Sequence, residues 1–305
     1  MRRLLIVCAL SVLTLGAAAR TSQAPADAPF FFLQFSDPQF GMFTADKDFV
    51  QETANVEFAI ATANRLKPAF VVITGDLVNK AGDAAQIAEF HRIAAKLDRT
   101  IPLYNVPGNH DVENTPTPES IASYTKSFGP DHYTFTRGGF VGIVLNSSLV
   151  KAPDKASALL AEQETWMKAR LADARQSGAR HIVIFQHHPY FLKAADEAEV
   201  YYNLPLARRA EYLKLFHEAG VKYIFAGHLH NNSPAQDGAL AMVTTGPVGK
   251  PLGTGSRSGM RVVIVRPTGI THQFYELGDL PTSVNLSGSS PQSKETSTAL
   301  HGPPW

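Results

Sequence analysis

The sequence predicts an α/β layered domain, and three observations carry that expectation. Short apolar runs rich in β-branched and aromatic residues alternate with segments of helical spacing over most of the chain, the order expected when helices cover a sheet. The 305 residues are 44% hydrophobic, enough to build a sizeable core and too apolar for extensive disorder. No internal repeat divides the chain, and from residue 239 the pattern turns to strands alone, so one domain over 30–280 fits better than two.

The elements follow in order. Arg2 and Arg3 precede an apolar run over 4–19 that ends in Ala17, Ala18 and Ala19, the charged, apolar, small-residue order of a secretory signal peptide over 1–19. The run is short for a bilayer span of about 20 residues, which leaves an uncleaved anchor as the lesser alternative. Cleavage after Ala19 would remove both arginines and Cys8, shifting the net charge from +1 to −1. The expectation is export, to a periplasm or the extracellular space, with no stable membrane span in the mature chain. Residues 20–29 read as a linker. Strands are expected at 30–35, 69–74, 101–106, 140–145, 181–185, 221–226, 239–245, 261–266 and 271–277. Helical spacing covers 49–66, 84–97, 162–176 and 206–219. Residues 281–305, rich in Ser, Pro, Thr and Gly, read as a disordered tail.

Composition narrows the function. Lys and Arg number 28 against 27 Asp and Glu, which argues against a nucleic-acid scaffold held by bulk positive charge. Cys8 is the single cysteine, so a disulfide framework and a thiolate zinc site are excluded. Eleven histidines remain as the chemistry-bearing residues.

Five polar segments follow strand candidates directly: Ser36-Asp37-Pro38-Gln39, Gly75-Asp76-Leu77-Val78-Asn79, Gly108-Asn109-His110-Asp111, Gln186-His187-His188-Pro189 and Gly227-His228-Leu229-His230. Binding sites of open α/β sheets form outside the carboxyl ends of the strands. Five such loops can therefore bring carboxylates, an amide and several imidazoles to one place, a donor set suited to divalent transition metals. One carboxylate among them can bridge two ions about 3.5–4 Å apart. Singly, each segment has an ordinary explanation. Asp37 before Pro38 can be a turn residue, Gly75-Asp76 a turn into a helix, and Asn109 and His110 plain loop chemistry. His187 and His188 can be satisfied histidines at a strand end. Two imidazoles at i and i+2 in Gly227-His228-Leu229-His230 are the hardest to explain away. His91, His132, His181, His217, His272 and His301 lack such company and read as surface or packing residues.

Taken in order, these segments resemble the calcineurin-like metallophosphoesterases, from about Phe30 to Leu280. The chain is most similar to the small subgroup with Asp-Pro-Gln at the first motif, here Asp37-Pro38-Gln39, related to eukaryotic serine/threonine-type phosphatases. Pro116 to Ile121, Gln186 to Lys193 and the stretch Gly246 to Gly253 leading into Gly259 to Val263 are similar too. The resemblance implies a layered sandwich of two central mixed β-sheets flanked by helices. It implies two divalent ions (Mn, Fe, Zn or Mg), with Asp76 bridging them. Asp37 and His230 complete one site, and Asn109, His187 and His228 the other. His187 rather than His188 is the implied ligand. Gln39 stands where most of the family has a histidine, so its amide either ligates weakly, favours a harder ion such as Mn or Mg, or hydrogen-bonds behind the ligands. His110 is the implied non-ligand histidine that stabilises the transition state or protonates the leaving oxygen, with Asp111 holding its tautomer from behind. Asn79 and His188 are candidates for contact with substrate, His188 either by lining the pocket or by orienting a ligand instead. The glycine-rich stretch 246–259, with Lys250 and Arg257, can be either a set of turns or a phosphate cradle.

The implied chemistry is hydrolysis of a phosphomonoester by a metal-bound hydroxide, on a small phosphate ester or a phosphoprotein. Two alternatives stay open: a phosphodiesterase acting on cyclic nucleotides or lipid head groups, and a non-catalytic binding protein on the same fold.

Overall fold

The computed structural model describes residues 28–288. The signal-peptide reading, most of the linker, the expected tail from residue 289 onward and His301 lie outside the described residues. In chain order the elements begin with β1 (Phe30–Phe35), α1 (Val50–Leu66), β2 (Val71–Thr74), α2 (Ala84–Ala94), β3 (Leu103–Val106), α3 (Asn109–Val112) and α4 (Pro118–Phe128). There follow β4 (Tyr133–Arg137), β5 (Phe140–Val144), α5 (Ser147–Lys151), α6 (Ser157–Gln176), β6 (His181–Phe185), α7 (Leu206–Ala219) and β7 (Tyr223–Ala226). The chain then turns to β8 (Ser233–Asp237), β9 (Leu240–Thr244), β10 (Gly259–Arg266) and β11 (Gly269–Glu276), and a 3-10 turn at Leu277–Asp279.

Two mixed sheets result, as expected. One has the order β11-β10-β1-β2-β3, the other β4-β5-β6-β7-β9-β8. In the first, β1, β2 and β3 run parallel, joined by crossovers through α1 and α2, while β10 returns antiparallel to β1. In the second, β5, β6, β7 and β9 run parallel and β4 and β8 are antiparallel edges.

The alternation of side chains along β1 builds two cores at once. Phe31, Leu33 and Phe35 join the buried cluster that includes Val56, Ile60 and Ala63 of α1. Phe32, one residue out of step, faces the second sheet and packs with Phe70, Phe140, Phe185 and Phe225. Phe32 stacks on Phe70 at 4.6 Å between centroids and meets Phe225 edge-on at 5.7 Å. Above this aromatic layer the interior becomes polar. Fully buried Gln34 donates to Thr74 Oγ1 and the Ala226 carbonyl and accepts from Thr245 Oγ1, tying β1 and β2 to the ends of β7 and β9.

The caps are local. Asp83 accepts from the Ala85 and Gln86 amides, Thr117 and Ser120 cap α4 reciprocally with Pro118 at its first turn, and left-handed Gly220 ends α7. Five elements go beyond the sequence expectation: β4, β8, α3, α4 and α5. Both strands are edges, largely exposed, and β8 carries Pro234, which an edge tolerates and a central strand does not. Part of the expected tail also belongs to the fold. Arg65 donates to the carbonyls of Pro281 and Thr282, and Val284 and Leu286 pack on the core, so the domain runs past residue 280.

Candidate metal centre

The parallel strands of both sheets point their carboxyl ends to one rim, and all five polar segments lie there. Asp37 follows β1, Asp76 follows β2, Asn109 and His110 follow β3, His187 follows β6, and His228 and His230 follow β7. Backbone bonds lace the loops together: the Asp37 amide donates to Gly75 O at 3.1 Å and the Gln39 amide to Asp76 O at 2.8 Å. The His228 amide donates to the Asp37 carboxylate at 3.2 Å.

The turns are tight enough to force unusual backbone. Asp37, Gln39, Asp76, His228 and His230 all have φ between 41° and 70°, a left-handed conformation costly for residues with a Cβ. That strain persists only where the surroundings over-determine it, and here it falls on the chemistry-bearing residues. Two glycines let the loops touch. A methyl on Gly108 would overlap Asp76 Oδ1 and the Asp76 amide. A methyl on Gly249 would lie 2.5 Å from the carbonyls of Asp37 and Pro38. The glycine-rich stretch thus serves close packing here: Val248 and Gly249 donate to Ser36 O and Asp37 O, and the Lys250 ammonium turns to Met42 O.

Two groups of side chains offer ligand atoms within 4.8 Å of one another: Asp76, His187 and His228, and Asp37, Asp76 and His230. Asp76 belongs to both. His187 Nδ1 donates to Thr74 O at 2.9 Å, which leaves Nε2 facing Asp76 Oδ2 at 3.3 Å and Asn109 Oδ1 at 3.0 Å. His230 Nδ1 donates to Lys250 O at 2.5 Å and turns Nε2 to Asp37 Oδ1 at 3.4 Å. In each ring the rear nitrogen is spent on a carbonyl, which orients the front nitrogen as a donor of electrons. Asn114 likewise takes the Asn109 Nδ2, leaving Oδ1 towards His187.

The electrostatics belong to a cation site. Burial pushes the Asp76 carboxyl up, but the imidazoles of His187, His110 and His228 outweigh it and hold it well below the usual carboxylate range. Burial pushes His187 down, yet Asp76 and Asp37 drive it up to about 9. Burial and the neighbouring His187 push His228 down to about 3. His228 Nδ1 lies 3.1 Å from His187 Nε2, a spacing at which two ring nitrogens share a proton or a cation. His228 Nε2 and Gln39 Oε1 are buried without a hydrogen-bond partner. Oxygen and nitrogen donors converging on a shared carboxylate fit divalent metal ions.

This geometry gives three of the expected site residues specific contacts. Asp111 does not touch the His110 ring. Its carboxylate accepts from the Gly108 and Val78 amides at 2.8 and 3.1 Å, shaping the loop, and burial with the Asp76 charge pushes it up to about 8. The group that holds His110 is the Asn79 carbonyl, 2.7 Å from Nδ1, while the His110 amide donates to Asp76 Oδ1 at 2.9 Å. The Asn79 side chain is taken by Gln39 and Asp46 rather than open to substrate. His188 is buried, bonded to Ser147 Oγ at 3.0 Å, and packs behind His228 with ring centroids 4.3 Å apart. Sequence reasoning missed Ser147, which also accepts from the His187 and His188 amides. It missed as well Tyr201 and Tyr202, whose rings lie 5.0 and 5.7 Å from His228. Neither had a motif to mark it. The remaining described histidines stand apart, as on the Asp131–His132 and His217–Asp237 pairs.

Two ligand groups sharing one carboxylate, on the strand-end rim of a two-sheet α/β sandwich, define a two-metal hydrolase. The calcineurin-like phosphoesterase family matches residues 32–232. A Bos taurus protein named serine/threonine-protein phosphatase CPPED1 is 38% identical over 282 residues, 88% of this chain and 90% of that one. Among solved structures, a purple acid phosphatase from yellow lupin (Lupinus luteus) superposes with a TM-score of 0.63 at 15% identity, over 84% of this chain and 53% of that one. A dimetal phosphatase from Danio rerio gives 0.56 at 15% identity, over 81% and 99%. These two share the fold. The chain belongs to the calcineurin-like phosphoesterases and is a metal-dependent phosphoester hydrolase that uses two divalent metal ions.

Proposed function

We propose that the protein is an exported phosphomonoesterase with a serine/threonine-phosphatase-like reaction. The observation that carries the reading is Asp76, shared between two ligand groups. Asp37, Asp76 and His230 would hold one ion, and Asp76, Asn109, His187 and His228 the other, with Gln39 Oε1 as a further oxygen donor. Bound there, the ions supply positive charge against the phosphoryl oxygens and lower the pKa of water. The chain's own contribution is orientation and a proton. Because the Asn79 carbonyl occupies His110 Nδ1, Nε2 is the atom free to protonate the leaving oxygen.

The name of the bovine relative supports the monoester preference. The pattern of Arg2, Arg3 and the apolar run to Ala19 supports export. No helix among the described residues is long and apolar enough to cross a membrane. Export favours small phosphate esters over phosphoproteins as substrates.

The test uses protein from Arg20 onward, stripped of metal and reloaded separately with Mn, Zn, Fe or Mg. Turnover is compared on p-nitrophenyl phosphate and bis-p-nitrophenyl phosphate, with Asp76→Asn as control. Metal-dependent turnover that prefers the monoester and disappears in Asp76→Asn is expected. Preference for the diester would replace this reading with a phosphodiesterase, and full turnover in Asp76→Asn would remove Asp76 from the centre. Cell fractionation with and without residues 1–19 tests export.

A further inference from the structure

The connection between β6 and α7 carries Tyr201 and Tyr202 over the metal centre, and the fold holds it with unusual thoroughness. Glu197 accepts from the amides of Leu192, Lys193 and Ala194 and from Asn203 Nδ2, at 2.7 to 3.2 Å. Fully buried Asn203 accepts from the Val200 amide at 2.8 Å and donates to Ala198 O. Fully buried Arg209 donates to the carbonyls of Ala195, Glu197 and Leu204. Lys151 reaches from α5 to the carbonyls of Val200 and Asn203 at 3.0 and 2.7 Å. A loop with this many satisfied backbone groups is a fixed wall rather than a swinging lid.

What the wall presents is apolar and open. Tyr201 is 56% exposed, and its chain neighbour Val200 is 46% exposed. An exposed apolar pair of this kind offers a binding surface. It lies at the metal centre itself: the Tyr201 ring rests on His228 at 5.0 Å, and Tyr202 meets Tyr201 edge-on at 5.2 Å. A phosphoryl group at the two ligand groups would therefore place its leaving group beside the Tyr201 ring. An extended aliphatic chain gains little there, whereas a flat ring stacks.

We propose that Tyr201, braced by Tyr202 on a rigidly stapled loop, is the specificity wall of the substrate subsite and selects phosphate monoesters whose leaving group carries a flat aromatic ring next to the phosphorus. The proposal rests on the phosphomonoesterase reading above. Its test separates the two by measuring binding independently of turnover. Metal-loaded protein is titrated calorimetrically with phenylphosphonate and with methylphosphonate, which cannot be hydrolysed, and turnover is followed on phenyl phosphate and glycerol phosphate.

Wild type is expected to bind phenylphosphonate about two- to twelvefold more tightly than methylphosphonate, the range ring–ring contact supports. Tyr201→Ala and Tyr201→Leu should bring that ratio close to one, with metal content measured in each variant. Tyr201→Phe should retain it. Equal affinity for the two phosphonates in wild type, or an unchanged ratio in Tyr201→Ala and Tyr201→Leu, would overturn the wall. Loss of the ratio in Tyr201→Phe would also overturn it, by assigning selection to the phenol hydroxyl. Absence of turnover on both esters, with the phosphonate ratio intact, would instead remove the phosphomonoesterase reading.

Discussion

Replacing His110 with alanine separates proton transfer from metal binding, because the ring is fixed at the centre without belonging to either ligand group. The Asn79 carbonyl can only accept, so at 2.7 Å it assigns the hydrogen to Nδ1 and leaves Nε2 for the leaving group. The His110 amide bonds the shared carboxylate at 2.9 Å, and alanine keeps that bond. The variant should thus retain both ions and lose only a positioned acid. General acid catalysis is worth about 100- to 10,000-fold, or about 3–5 kcal/mol of barrier. A deficit of that size is expected in kcat for alkyl phosphates, whose leaving oxygen must be protonated. It should be much smaller for p-nitrophenyl phosphate, whose phenolate departs without a proton. The assay pairs kcat on the two esters with metal content by elemental mass spectrometry. Loss of a metal ion in His110→Ala would make the ring a ligand, and an equal deficit on both esters would refute the acid role.

Three further outcomes follow from the structure. Gly108→Ala would press a methyl into Asp76, so thermal unfolding should show a loss of at least about 1–3 kcal/mol, with reduced metal content; unchanged stability and metal would show that the loops can part. Gln34→Leu removes three buried hydrogen bonds, two of them between the sheets, and its denaturation midpoint should reveal about 2–3 kcal/mol less stability, a loss that a merely volume-filling Gln34 would not produce. In stripped protein, burial lowers His187 but Asp76 and Asp37 raise it to about 9, so a metal must displace its proton. Apparent affinity should rise from pH 6 and level off near pH 9, and a flat profile would contradict the coupling. By the same linkage, the stability His187 lends the stripped protein is full below its unfolded value of about 6.5 and lost as pH rises through about 9.

Much of this molecule was legible along the chain because the relevant physics is local. Strands β1 and β6 carry runs of apolar residues that end abruptly at polar segments, and their expected bounds coincide with the observed ones. The edge strands β4 and β8 escaped because a strand with one partner and one wet face needs no apolar signature. Asp111 could be placed beside His110 in sequence, but not turned towards the Gly108 and Val78 amides.

The sequence by itself determined which side chains stand at strand ends, and so the donor chemistry of the centre. Only the tertiary structure decided their pairings. Asp37 meets His228 across 191 residues because β1 and β7 lie in facing sheets, and Gln34 links the two layers beneath them. Tyr201 reaches His228 because Arg209 and Lys151, on the helices α7 and α5, join Glu197 and Asn203 within the loop to hold it to one course. Hydrogen bonds and burial between distant segments select one path among many, and that selection is written in no single stretch of sequence.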